Sequence, residues 1–250
     1  MVNFFLIILY MDKLIVKLVI DLNLNSNIVK VLKKHDRKHY LHTHGNQIYH
    51  NRPHVINLKT HQTMSAPHIH AMALKQMQIF LKRSLKKVKG DFKRLKFNVL
   101  DIGCGTGYVM ATMAELLHIK ENHSKVVGID VYKSLVNMTE KNLRKNGFEH
   151  ELKTRKMIVK CGDGWKGDAL HGPYSFIHVG ANAIEMPEKL FHQLAVGGGM
   201  LIPINGEYIL IEKQLKKSKI TNVRFVELIK ENRIKHKNKL NNNPNNLCIK

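Results

Sequence analysis

Two acids and three glycines carry the clearest chemistry in this chain. In Val99–Tyr108, VLDIGCGTGY, an apolar run delivers Asp101 and then a turn containing Gly103, Gly105, Thr106 and Gly107. Glycines let a backbone bend sharply and approach a ligand where a Cβ would collide. A second apolar run, VVGID, ends in Asp130, with Val131 beside it. An acid at the end of the strand that follows such a turn can accept both hydroxyl protons of a ribose. Together the two motifs point to an adenosine ligand. A dinucleotide prefers G-x-G-x-x-G, which seats a pyrophosphate at the helix N-terminus. Here the spacing is G-x-G-x-G and Asp101 precedes it. An acid at that place repels pyrophosphate and attracts an ammonium. S-adenosylmethionine carries the ammonium, a sulfonium and no phosphate, so Asp101 favours it. An ordinary tight strand-to-helix turn is the plain alternative, and Asp130 in register weighs against it.

These residues need a sheet edge to hold them. Apolar runs and helical periodicity predict strands at 97–102, 125–130, 157–161, 174–179 and 199–204, with helices at 107–118, 133–145 and 187–194. Further strands are expected at 207–213 and 222–228. Strands alternating with helices give a mostly parallel, doubly wound α/β sheet whose ligands sit at the C-terminal strand edge. Gly162-Asp163-Gly164 and His178-Val179-Gly180-Ala181 fall at that same edge. Ahead of this core (65–229), residues 11–64 read as a helical arm. Leu14, Leu18 and Leu22 mark one helix, and Asn27–His35 a second with Ser26 as its cap. Residues 36–64 read as a loop containing one short strand. Ser65–Lys87 is a helix with Ser65 as cap and Pro67 in its first turn. Residues 1–10 read as an extension ahead of Met11, and the polar tail 230–250 as disordered.

Composition sets outer bounds. The 250 residues are 44% hydrophobic, enough for one sizeable core, and carry a formal net charge of +22. The lysines are spread along the chain among asparagines and isoleucines, which reads as background composition and not as a nucleic-acid stripe. Phe4–Tyr10 is an apolar run well short of the roughly 20 residues a bilayer needs. Cys104, Cys161 and Cys248 form no C-x-x-C pair, which fits a reducing, cytoplasmic setting. Histidine is dense: His35, His39, His42, His44, His50, His54, His61, His68 and His70. With no carboxylate or cysteine at ligand spacing beside them, they read as a solvated, variable loop and no metal is expected.

TMSAPHIHA (63–71), VLDIGCGTGY (99–108), VVGID (126–130), CGDG (161–164), FIHVGANA (176–183), MPEKLFHQL (186–194) and GGGMLIPI (197–204) closely resemble protein-L-isoaspartate (D-aspartate) O-methyltransferases. DRKHY (36–40) and the helices before it resemble that family's N-terminal region. The resemblance runs from about Met11 to about Leu228, and its most specific pieces are TMSAPHIHA and FIHVGA. It implies an S-adenosylmethionine-dependent, Rossmann-like methyltransferase. The methyl group goes to the free α-carboxylate of an L-isoaspartyl residue in a damaged protein, and D-aspartyl residues are a further substrate class. S-adenosylhomocysteine leaves, and the ester closes to a succinimide that reopens partly to aspartate, which begins repair. A carboxylate is already anionic at neutral pH, so rate must come from positioning and desolvation.

By resemblance, Ser65 is the active-site serine, assigned to orienting the carboxylate by hydrogen bonding. Gln62, Thr63, Met64 and His70 match positions lining the cofactor or substrate pocket. Asp101, Gly103, Gly105, Thr106, Gly107, Asp130 and Val131 would hold the cofactor, with Gly162 and Asp163 at its adenine. His178, Val179 and Gly180 would meet substrate. Three departures from the family's pattern stand at Asn51, where an acid is usual, at Ser175, and at Ile229, where a threonine is expected. A nucleic-acid methyltransferase is the rival enzyme, but HVGANA lacks the prolines and aromatic that stack a flipped base. A silent cofactor-binding relative is the other alternative. We expect a monomer acting on isoaspartyl peptides and proteins, with no nucleic-acid or membrane partner.

Overall fold

Leucines and isoleucines at helical spacing form the arm. The computed structural model describes residues 2–41, 45–57, 61–213 and 217–222. Helix α1 (Val2–Leu22) buries Leu14, Ile15 and Leu18, and it is continuous across the boundary expected at residue 11. Helix α2 (Ser26–Lys34) buries Ile28, Val31 and Leu32. Its cap is Asn25 and not Ser26: the Asn25 side chain accepts from the Asn27 and Ile28 N–H groups.

Beyond α2 the expected loop is more ordered than its composition suggests. It contains 3₁₀ turns at Arg37–His39 and Gly45–Tyr49, then an antiparallel hairpin of β1 (His54–Asn57) and β2 (Gln62–Met64). Helix α3 (Pro67–Lys87) follows directly.

The α/β core comprises β3 (Val99–Ile102), α4 (Tyr108–Leu116), β4 (Val126–Asp130), α5 (Lys133–Leu143), α6 (Glu149–Lys153), β5 (Met157–Cys161), β6 (Tyr174–Val179), α7 (Glu188–His192), β7 (Leu194–Ile204), β8 (Glu207–Glu212) and β9 (Lys217–Asn222). The sheet order is β5-β4-β3-β6-β7-β8-β9, parallel through β7 and antiparallel at β7–β8 and β8–β9. Winding runs outward in both directions from β3, so a crevice opens between the ends of β3 and β6.

Alternation along the strands divides the core. Val99, Val126 and Phe176 face α3, α4 and α5, while Leu100, Ile102, Val127 and Ile177 face α7 and Trp165. Asp101 shares the first face with Val99 and lies opposite His178 and Gly128 in the strand register. A Cβ at Gly128 would run into the Met110 thioether, so glycine there lets α4 lie close on β4.

Other expectations shift. The predicted 133–145 helix ends at Leu143, where a π turn (Arg144–Phe148) with Gly147 at φ +86° leads into the unpredicted α6. Strand β7 begins at Leu194, not at 199, because Leu194 pairs with Tyr174 ahead of an irregularity in register. The last strand, expected at 222–228, is instead β9 at Lys217–Asn222, where it pairs with β8; residues 223–228, Ile229 and the tail 230–250 lie outside the described residues. Among the described residues no helix is long and apolar enough to cross a membrane.

Candidate functional site

The glycine turn is held from two sides. Gly107 caps α4 at φ +80°, and a Cβ there would meet Thr139 Cγ2 of α5 at 3.0 Å. Thr139 Oγ1 donates to the Gly105 carbonyl at 2.9 Å. The Gly105 N–H in turn donates to Asp130 Oδ2 at 3.0 Å, and the Tyr132 N–H to Oδ1 at 3.1 Å. Asp130 is 6% exposed, and burial pushes its carboxyl up to about 6. Two carboxylate oxygens offer about four acceptor positions, so the acid retains capacity for a diol.

At the crevice between β3 and β6 the chain comes very close to itself. A Cβ on Gly180 would sit 3.3 Å from the Gly103 carbonyl oxygen. Between them a narrow cleft opens at this edge of the sheet. Gly103 and Gly105 line it from the turn, Asp130 and Val131 from the end of β4, and Gly180 from the end of β6. Gln62 reaches it from the hairpin. The sequence reading missed Ile56, Tyr132 and Leu135, which also line it. Tyr132 and Leu135 directly follow the ribose-type acid and could have been found from that position; Ile56 could not, because only the hairpin fold brings it there.

Asp101 lies behind this wall and not on it. It is 1% exposed, and His178 Nδ1 donates to its Oδ1 at 2.7 Å. Asp101 Oδ2 and His178 Nε2 are sealed from solvent with no hydrogen-bond partner among the described residues. Val179 is fully buried on the opposite face of the sheet, so only its backbone is available to a ligand.

Ser65 joins β2 to α3 but does not cap the helix as expected. Ala66 occupies the cap position and makes no side-chain cap bond. Ser65 is half-buried and is not among the residues that line the cleft. Asn51, where an acid was expected, supplies the acceptor instead: its Oδ1 takes the His68 backbone N–H at 3.1 Å and His68 Nδ1 at 2.8 Å. Arg37, which the sequence reading did not single out, is 4% exposed and donates to the Ser65 carbonyl at 3.0 Å.

The remaining candidates scatter more. Thr63 is half-buried, while Met64 and Thr106 are buried, Met64 within the core cluster. Asn142 Nδ2 donates at 2.9 Å to both the Tyr40 and Thr106 carbonyls, tying the arm to the glycine turn. The Gly162 N–H donates to the Asp130 carbonyl at 2.9 Å, and Asp163 Oδ1 accepts from the Trp165 N–H at 2.9 Å as a turn residue does.

The histidines correct the picture of a solvated loop. His35, His54 and His70 are buried, because each ring has a specific partner: His35 Nδ1 with the Tyr40 hydroxyl at 2.7 Å, His54 Nε2 with the Gln47 carbonyl at 2.6 Å, and His70 Nδ1 with Arg37 at 2.8 Å. His39, His50 and His61 are exposed, and His42 and His44 lie outside the described residues. Among the described residues no three metal-ligating side chains come together.

A family model for protein-L-isoaspartate (D-aspartate) O-methyltransferase matches residues 11–233. Protein-L-isoaspartate O-methyltransferase of Caenorhabditis elegans is 39% identical over 142 residues, 57% of this chain and 56% of that protein. Protein-L-isoaspartate O-methyltransferase 2 of Arabidopsis thaliana is 32% identical over 212 residues, 82% of this chain and 62% of that one. The chain thus spans between about half and two thirds of the length of these curated relatives. A solved Plasmodium falciparum structure, described as a protein-L-isoaspartate O-methyltransferase in complex with S-adenosyl-L-homocysteine, superposes with a TM-score of 0.74 at 27% identity, covering 88% of this chain and 98% of that one. A glycine turn at a topological switch point, an acid closing the next strand and a match over nearly the whole chain agree: the chain belongs to the protein-L-isoaspartate (D-aspartate) O-methyltransferase family.

Proposed function

We propose that this chain transfers a methyl group from S-adenosylmethionine to the free α-carboxylate of L-isoaspartyl residues in damaged proteins. The observation that carries the reading is Asp130. A carboxylate this deeply buried, on the wall of a glycine-lined cleft, with each oxygen taking a backbone N–H, is suited to accept two ribose hydroxyls. The unpartnered Asp101 Oδ2 behind the turn supports an ammonium nearby. Val131, Tyr132 and Leu135 offer walls for a purine.

When bound, S-adenosylmethionine supplies an activated methyl group on a sulfonium whose leaving group is neutral. The protein's own part is placement: the Ser65 hydroxyl is the donor that orients the incoming carboxylate. The Gly180 backbone borders the crevice, while His178 stands behind it against Asp101. The chain acts as a monomer in this reading.

The test is methyl transfer from labelled S-adenosylmethionine to an isoaspartyl peptide and to its aspartyl twin. Transfer to the isoaspartyl peptide alone is expected. Transfer to neither, with cofactor binding retained, marks a silent binder and overturns the reading.

A further inference from the structure

Arg37 is a costly residue to bury without a purpose. Its guanidinium is sealed in, and among the described residues no carboxylate forms a direct ion pair with it, the charge of Asp36 offsetting only part of the burial. Asp36, its neighbour, is engaged elsewhere, with the Tyr49 hydroxyl at 2.8 Å and Lys38 Nζ at 3.0 Å. An unpaired buried cation costs several kcal/mol, and packing alone would favour an apolar side chain. Each of the three guanidinium nitrogens nevertheless has a fixed target: Nε the Ile48 carbonyl at 3.4 Å, one terminal nitrogen the Ser65 carbonyl at 3.0 Å, and the other His70 Nδ1 at 2.8 Å. The group also lies 5.5 Å from the centre of the Tyr108 ring, at the first residue after the glycine turn.

Guanidinium donates and never accepts. His70 Nδ1 must therefore be the acceptor, which places the ring's proton on Nε2. That nitrogen has no hydrogen-bond partner among the described residues, and His70 as a whole is 5% exposed.

We propose that Arg37 is a positioning residue for the methyl-accepting side of the site: it pins the Ser65 backbone and fixes the His70 ring with its proton on Nε2, which leaves the Ser65 hydroxyl and His70 Nε2 as hydrogen-bond donors for the substrate carboxylate. The use of the pair for a carboxylate rests on the methyl-transfer reading above; the tautomer does not. Burial, Arg37 itself, His178 of β6 and His68 of the same helix all lower the His70 pKa well below its ordinary range, and the Tyr108 ring packs against it from α4 at 5.0 Å. His70 therefore stays neutral where free histidine would titrate.

The experiment is nitrogen-15 NMR of the His70 ring in the full chain, with methylation kinetics on an isoaspartyl peptide. In the wild type, protonation at Nε2 and no titration between about pH 5 and 8 are expected. Arg37→Lys keeps the charge but cannot supply the fork. It should mix the two tautomers and lower kcat/KM about tenfold, with the dissociation constant for S-adenosylmethionine held within about twofold. Wild-type His70 protonated at Nδ1, or titrating in that range, overturns the proposal even if no variant folds. So does Arg37→Lys with wild-type spectrum and kinetics. A wild type that methylates nothing counts against the methyl-transfer reading, and the ring spectrum then decides the positioning role alone.

Discussion

At the scale of single residues, Asp130 carries the most weight and gives the sharpest pH prediction. Its carboxyl sits at about 6 because burial disfavours the charge, with the Gly105 and Tyr132 N–H groups pulling the other way. Ribose hydroxyls donate to the ionised acid. As pH falls through about 6 the carboxyl takes up a proton in the empty cleft, and that proton must leave on binding. The dissociation constant for S-adenosylmethionine should therefore be level near pH 7, below the range where the cofactor's own ammonium titrates, and rise about tenfold per unit below about pH 6. Titration calorimetry without peptide reads this apart from substrate protonation, and a flat profile down to pH 5 would remove Asp130 from the cofactor site. Asp130→Ala loses two hydrogen bonds to a charged acceptor, each worth about 1.5–3 kcal/mol, or at least about 100-fold in affinity. Asp130 was legible in the sequence because its role follows from spacing within one strand-turn-helix-strand unit. Arg37 was not, because its targets His70 and Ser65 lie 33 and 28 residues away and meet it only through the folded arm. Asp101 was legible as an acid at the turn, but its pairing with His178 depends on β3 and β6 being neighbours.

At the scale of elements, the arm is docked to the core by polar joints as well as by leucines. Glu115 near the end of α4 takes Lys34 Nζ at 2.6 Å and His35 Nε2 at 3.4 Å, while His35 stacks on Phe148 with ring centres 5.7 Å apart. The hydrogen bond from His35, joined by Lys34, holds the Glu115 carboxyl down at about 2, below the ordinary 4.5. A depressed acid contributes stability above its unfolded value and loses it as pH falls towards the folded one. Glu115→Gln should thus cost about 1 kcal/mol at pH 7, given the partial exposure of the group. Urea unfolding should show that gap closing between about pH 4.5 and 2; a gap unchanged at pH 2 would mean the cost was packing and not charge. Elements of this kind were readable where a period ran long enough, as in α3 and in β3 to β6. The hairpin of β1 and β2 is too short to show a period. The π turn before α6 is a local break at Asn146 and Gly147 inside a continuous helical pattern, and the early start of β7 depends on Tyr174 from another strand.

At the scale of the whole molecule, the cleft is a joint product of sheet and arm, and the chain that carries it is strongly basic. The net charge of +22 reads as background composition in the sequence, yet background charge still creates a field. Isoaspartyl sites arise in peptides of any charge, so the chain's field should sort them by their neighbours. A peptide with acidic flanks is drawn in and one with lysine flanks is repelled. Salt removes the difference, since screening shortens from about 14 Å at 0.05 M to about 4 Å at 0.5 M. Over that range kcat/KM should fall several-fold for the acidic peptide and rise or hold for the lysine-flanked one. Affinity for S-adenosylmethionine, with one net positive charge and a buried site, should change less than about twofold. Stopped-time methylation assays on the two peptides at matched pH read the two slopes. Equal slopes would mean that the lysines lie too far from the cleft or are too evenly spread to steer. Opposite slopes would give the composition a kinetic role: a chain whose lysines belong to no binding motif would still favour acidic damaged segments by long-range attraction alone.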